Sequence, residues 1–289
     1  MPRVSVIIAT YNWSSVLPYS IGSVLRQTMS DFEVLVVGDG CTDDSEAVVK
    51  GIGDPRVRWI NLPKNTGHQS GPNNEGIRQA RGELIAYLGH DDLWLPQHLE
   101  LLVAAIDRSG ADMVHSLIGC VEPGAEVWPV TPWPEYGLWG APSCTLHRRT
   151  VMNAVGGWRD YREIDVPPEV DLWRRARKAG LRFTLVARLT VIKFPASVRR
   201  DVYRIKPCHE QAEWFARIGE PEFEVVTMAR MIADRHDIRS MPYRAIVRRL
   251  IGQTFVRFQR RFGMRAMLRG ILWFRKRSEI DVFRKFKGL

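Results

Sequence analysis

The sequence predicts an α/β fold: a mostly parallel central sheet with helices on both faces, followed by a helical C-terminal extension. Three observations carry this expectation. Short apolar runs rich in β-branched residues recur along the chain up to Phe194. Most of them stop at a Gly, Asp or Asn turn, and amphipathic segments of helical period separate them. Strands and helices alternating at this spacing are the pattern of parallel strands joined by crossover helices.

Val4–Ala9 (VSVIIA) reads as the first strand, and Ser14–Gln27 as the amphipathic helix after the Thr10-Tyr11-Asn12 turn. Phe32–Val37 repeats the pattern and ends at Gly38-Asp39-Gly40, with Thr42-Asp43-Asp44 opening the next helix. Val57–Asn61 is a third strand. The polar loop Asn65–Gly71 leads into a helix that ends near Ala80. Leu84–Leu88 is the fourth strand, broken at Gly89 and followed by His90, Asp91 and Asp92. Gln97–Arg108 is expected as helix and Asp112–Val121 as strand. Glu122–Ser143 is irregular, rich in Pro and Gly, and carries Trp128, Trp133 and Trp139. Ser143–Arg148 reads as strand, a helix follows, and Gly156-Gly157-Trp158 is a turn. Pro167–Gly180 has proline at its start and glycine past its end, the punctuation of a helix. Phe183–Val186 and Thr190–Phe194 are expected as two short strands, and the chain beyond about Asp201 as helix.

At 289 residues, 45% hydrophobic and 26% charged, the chain is long enough for a substantial core. No uncharged apolar run reaches bilayer-spanning length, and the first residues enter a strand rather than a leader. The four cysteines are scattered and form no CxxC pair, which points to a reducing cytoplasm. The net charge of +10 is concentrated in Tyr243–Leu289, where 14 Lys and Arg face two acids. The rest of the chain is slightly acidic, so a nucleic-acid footprint is not expected. Neither GxGxxG after the first strand nor GxxxxGK[ST] occurs, so the dinucleotide fingerprint and the P-loop are both excluded.

Ligands of open α/β sheets bind beyond the carboxyl ends of the strands. His90, Asp91 and Asp92 stand at such an end and read either as a perch for a divalent cation holding a phosphate or as the cap of a helix starting near Pro96. Upstream and downstream blocks bear on this choice: VSVIIATYN, FEVLVVGDGCTDDS, Asn65-Thr66-Gly67, NEGIRQARGE at Asn74–Glu83, LGHDDLW, Gly156-Gly157-Trp158 and PEVDLWRRARKAG. In this order, from Val4 to about Ser197, they resemble the family 2 glycosyltransferases, which have a GT-A (Rossmann-like) fold.

The resemblance implies a catalytic unit over residues 1–200, with 1–110 as its nucleotide-sugar half and 111–200 as its acceptor half, and a helical region over 201–289. It implies that Thr10, Tyr11, Asn12, Asp39, Asn74 and His90 hold the nucleotide. Tyr11 would stack on the base and Asp39 would pair with it, Gly38 standing where relatives often have another acid. Asp91 matches the second acid of the family's Asp-x-Asp motif, while Gly89 replaces the first. Mn²⁺ or Mg²⁺ would therefore sit on Asp91, with His90 as a substitute contact. The family's catalytic Glu-Asp pair aligns with Pro168-Glu169. That makes Glu169 the expected base, with Asp171 and Asp165 as fallbacks. The implied reaction is an inverting transfer of one sugar from a nucleotide sugar, with a UDP-sugar as the expected donor, to an acceptor hydroxyl. No QxxRW motif follows, which argues against a processive synthase. Gly89 and Pro168 keep a non-catalytic, nucleotide-sugar-binding or membrane-tethering member as the alternative.

In the tail, apolar residues such as Ile246, Leu250, Phe255, Phe258 and Phe262 recur at helical spacing among arginines. A basic amphipathic stretch over 243–289 is expected to lie on an anionic membrane surface, fitting a peripheral enzyme at the inner face of the membrane with a lipid-linked or growing glycan acceptor. Packing of the same face on the catalytic unit or on a second subunit is the competing expectation.

Overall fold

A computed structural model describes residues 1–123, 127–130, 132 and 140–236. The strands are β1 (Val4–Thr10), β2 (Phe32–Gly38), β3 (Val57–Asn61), β4 (Leu84–Tyr87), β5 (Leu93–Trp94), β6 (Met113–Val121), β7 (Val127–Val130), β8 (Thr145–Arg148) and β9 (Phe183–Lys193). Between them run α1 (Leu17–Leu25), α2 (Ser45–Gly51), α3 (Ser70–Gln79), α4 (His98–Ser109), α5 (Val151–Val155) and α6 (Pro168–Lys178). After the last strand come α7 (Val202–Ile205), α8 (His209–Arg217) and α9 (Phe223–His236).

The strands form one sheet in the order β3-β2-β1-β4-β8-β6-β9-β5, with β7 beside β6. The first four strands are parallel. Beyond β4 the sheet is mixed: β8 is antiparallel to both β4 and β6, β9 runs parallel to β6, and β5 closes antiparallel. The parallel half therefore delivers the ends of β1, β2 and β4 to one edge.

The period-two alternation of the strands divides the core into two layers. Val4, Val6, Ile8, Val34, Val36, Leu84 and Ala86 pack against Leu17, Ile21 and Val24 of α1 and Leu99, Leu102 and Ile106 of α4. Ile7, Leu35, Val37, Ile85 and Tyr87 face the other way, toward Val151, Met152, Trp158, Leu172 and Trp173. On that second face Ser5 donates to the buried Glu33 carboxylate at 2.7 Å, which also accepts from Arg81. Burial opposes the charge of Glu33, but these donors outweigh it and hold its pKa below the ordinary glutamate value.

Two expectations change. Phe183–Lys193 is a single strand rather than two, because its register against β6 shifts around Leu117 and accommodates Ala187 and Arg188 as exposed extra residues. Nor do Asp91 and Asp92 cap the next helix: β5 intervenes, and α4 begins at His98 after Gln97. The C-terminal segment shares the core, since Trp214, Ile218 and Phe223 bury with Leu93, Leu95, Ile192 and Phe194. Among the described residues no helix is long and apolar enough to cross a membrane. Trp133, Trp139 and the basic stretch 243–289 lie outside the described residues.

Candidate functional site

The carboxyl ends of β1, β2 and β4 bring Thr10, Asp39, His90 and Asp91 to one edge of the sheet. Asp39 is nearly buried and holds the loop before α3: its Oδ1 accepts from the Thr66 N–H at 2.9 Å and the Thr66 hydroxyl at 2.8 Å, and its Oδ2 from the Gly67 N–H at 3.2 Å. An acid before it would require Asn61 or Trp59 to move, because a Cβ on Gly38 would lie 2.6 Å from Asn61 Oδ1 and 2.7 Å from the Trp59 ring. Asp39 thus carries both a loop-fixing role and the position expected for base recognition, with lone-pair capacity left on Oδ2.

Tyr11 presents an exposed ring at the same edge, 42% accessible. Asn12 sits in the left-handed region at φ 46° and turns its side chain onto the β2–α2 loop, its Oδ1 accepting from the Thr42 N–H at 2.7 Å. Its carbonyl accepts a hydrogen bond from Lys206 Nζ. Thr10 Oγ1 and His90 Nδ1 are 3.1 Å apart, and the His90 ring stands edge-on to Trp13 at 5.1 Å and near Tyr203 at 6.3 Å.

The adjacent acids have different fates. Asp92 is fully buried and saturated with donors: Ser143 Oγ at 2.5 Å, Lys193 Nζ at 3.0 Å and the Phe194 N–H at 3.3 Å. Burial disfavours the Lys193 charge, but Asp92 and then Asp91 raise its pKa above the free lysine value. A Cβ at Gly89 would fall 2.8 Å from Asp92 Oδ2, so the Asp92 carboxylate fills the space an acid at position 89 would need. Asp91 is 8% exposed, and among the described residues its carboxylate accepts no hydrogen bond. A nearly buried carboxylate left without donors fits a divalent cation as one ligand. Among the described residues no three His, Cys, Asp or Glu side chains converge on a metal site. His90 stands beside Asp91 but is engaged with Thr10 through Nδ1.

Glu169 lies in the first turn of α6, where Pro168 occupies N1 and fixes the entry of the helix. Its Oε2 accepts from Gln69 Nε2 at 3.3 Å. Tyr203, on α7, lies edge-on to Trp13 at 5.8 Å and beside His90 at 6.3 Å. Its phenol is pushed above the ordinary tyrosine value by burial first and by the Asp91 charge next, with Lys193 opposing and Asp92 and Glu169 smaller contributors.

Two expected site residues have other tasks. Asp171 accepts from Arg175 Nε at 2.8 Å and lies 3.8 Å from Arg159, while Arg175 also donates to the Gly157 carbonyl at 2.8 Å. It ties α6 to the turn after α5. Asn74 is engaged with the turn before α6: its Oδ1 accepts from the Trp158 N–H at 2.9 Å and its Nδ2 donates to the Trp158 carbonyl at 2.8 Å. Asp165 is exposed before α6. Sequence reasoning missed Gln69, Lys193, Tyr203 and Lys206. Of these only Lys193 left a signal, as the lone charge in the apolar run TVIKF.

A description of glycosyl transferase family 2 matches residues 5–155, just over half of the chain. The succinoglycan biosynthesis protein ExoO of Rhizobium meliloti is 39% identical over 113 residues, which are 39% of this chain and only 32% of ExoO. TarS 1-349 of S. aureus in complex with UDP-GlcNAc superposes with a TM-score of 0.57 at 18% identity, covering 80% of this chain and 70% of that one. The mannosyltransferase PcManGT of Pyrobaculum calidifontis, in complex with GDP-Man and Mn²⁺, superposes at 0.54 and 17% identity, covering 95% and 88%. The two superpositions share the GT-A architecture, and the matched residues run from β1, through the edge that carries Asp39 and Asp91, to the end of α5. This chain therefore belongs to glycosyl transferase family 2.

Proposed function

We propose that the protein is an inverting glycosyltransferase that moves a single sugar from a nucleotide sugar to an acceptor hydroxyl in the assembly of a cell-surface polysaccharide or glycolipid. The observation that carries this reading is the gathering of Thr10, Asp39, His90 and the donor-free, nearly buried Asp91 beyond the carboxyl ends of β1, β2 and β4, where an open α/β sheet holds its ligand. Tyr11 offers a stacking face for the base, and Asp39 an acceptor for its N–H. UDP is the favoured carrier, in keeping with the UDP-GlcNAc complex of TarS.

The acceptor hydroxyl gives its proton to Glu169 as its oxygen bonds to the anomeric carbon, and the bond from that carbon to the diphosphate oxygen breaks with inversion. Gln69 donates to Oε2 of Glu169 and so aims the carboxylate. Mn²⁺ or Mg²⁺ would be held by Asp91 and would supply charge neutralisation for the departing nucleoside diphosphate. The acceptor is a glycan or a lipid-linked sugar, met by the basic segment 243–289 at the inner face of the membrane.

The test is release of nucleoside diphosphate from a panel of UDP- and GDP-sugars with Mn²⁺ and candidate acceptors. Glu169→Gln should leave donor binding intact and lower kcat ~10²–10⁴-fold. Donor binding without turnover by the wild type on any acceptor would favour the non-catalytic alternative.

A further inference from the structure

Lys206 is a cation with an unusual address. It closes α7 in the left-handed region at φ 55°, and Asp201 opens the same short helix at φ 53°. Neither is glycine, so each holds a conformation that costs free energy and persists because the surroundings impose it. Those surroundings are the donor edge. Val202 and Ala196 pack on Trp13 and Val16, and Tyr203 lies against Trp13 and His90. The strap running from Ala196 to Lys206 is thereby laid across the end of β1.

At its far end Lys206 Nζ donates to the Asn12 carbonyl and lies 6.0 Å from the centre of the Tyr11 ring. Among the described residues no carboxylate pairs with it, whereas Lys193, the other lysine of the site, is bound to Asp92. An ammonium held by a carbonyl and an aromatic face, beside the residues proposed for the base, has donors to offer to an anion.

We propose that Lys206 is a donor-binding residue whose ammonium contacts the diphosphate of the nucleotide sugar, so that the strap from the C-terminal region completes the donor site. The proposal rests on the nucleotide-sugar reading above and adds to it a third wall that the strand-end motifs do not contain. The carrier's phosphates, rather than its base, are the part recognised, because Lys206 is a cation with no carboxylate partner among the described residues and the phosphates carry the donor's negative charge.

The experiment uses the full chain and compares Kd values for uridine, UMP and UDP by calorimetry, with and without Mn²⁺, and the guanosine series in parallel. Lys206→Met should weaken UDP or GDP at least tenfold while moving the bare nucleoside less than twofold, and Lys206→Arg should restore most of the loss. The salt dependence of UDP binding should also flatten in Lys206→Met. Independently of any variant, UDP but not uridine should protect Lys206 of the wild type from acetylation, read by mass spectrometry. That measurement decides the matter even where Lys206→Met fails to fold. Equal losses for nucleoside and diphosphate, or UDP affinity within twofold of the wild type, would overturn the role of Lys206 and leave the nucleotide-sugar reading standing. No binding of any nucleoside or nucleotide to the wild type would overturn both.

Discussion

Neighbouring carboxylates in this protein have unequal work because their donors differ. Asp92 is surrounded by a hydroxyl, an ammonium and a backbone N–H, whereas Asp91 one residue earlier has no donor among the described residues. The same contrast separates Glu169, with a single amide donor, from Asp171, which is paired with two arginines. Asp171→Asn should therefore act on stability. Removing the charge leaves the mostly buried Arg175 guanidinium without its carboxylate, at a cost of about 1–3 kcal/mol. Urea unfolding should show the lower midpoint, and turnover of the remaining folded enzyme should stay within a few-fold of wild type. A loss of kcat as large as that of Glu169→Gln, with unchanged stability, would restore Asp171 as the base.

At the level of elements, the site is held by clamps between segments distant in sequence. Asn74 on α3 grips both backbone polar groups of Trp158, and Gly157 makes this possible. Its φ is 81°, and a Cβ there would approach Asn74 Oδ1 to 2.9 Å. Trp158 in turn donates through Nε1 to the Tyr87 hydroxyl at 3.2 Å, which joins the turn to the strand that ends at the site. Asn74→Ala should lower stability by roughly 1–3 kcal/mol through the two lost hydrogen bonds, with donor Kd unchanged in the folded fraction. Calorimetry with UDP distinguishes this from a nucleotide contact, which would weaken binding without a shift in melting temperature.

Across the whole molecule, three histidines are buried as neutral rings. Burial lowers the pKa of His98 to about 3 and of His147 to about 4, and burial together with the nearby His147 lowers that of His115 to about 3. Nε2 of His98 and of His115 has no partner, so a proton added there would create an unpaired buried charge. Each folded value lies below the unfolded value of about 6.5, so the unfolded chain binds the proton first. The stability they contribute is complete above that pH and is lost as pH falls from about 6.5 toward 4. The urea midpoint should decline between pH 7.5 and pH 5 with an unchanged slope of free energy against urea. A flat midpoint over that interval would show that the three rings accept protons without penalty. Glu33, whose pKa is lowered, acts at more acidic pH, because its stabilisation is lost only below the ordinary glutamate range.

Much of the parallel half was legible in the sequence because its information is local. Strand runs such as VSVIIA carry their burial in alternating side chains, and the family blocks mark the ends where Thr10, Asp39 and Asp91 stand. Glu169 could be placed on its helix from the proline before it and the glycine after it. The roles of Asn74, Asp171 and Asp92 could not be read that way, since each depends on which donor or acceptor arrives from a segment tens of residues away. The merging of two short strands into β9 belongs with them, because it is the pairing with β6 that makes Ala187 and Arg188 an irregularity inside one strand. Lys206 is the extreme case: nothing near it in sequence distinguishes it, and only the fold of the strap brings its charge to the end of β1. Hydrophobic period is a property of neighbours along the chain and determined the layers. Electrostatic pairing is a property of neighbours in space, and the tertiary structure alone decided it.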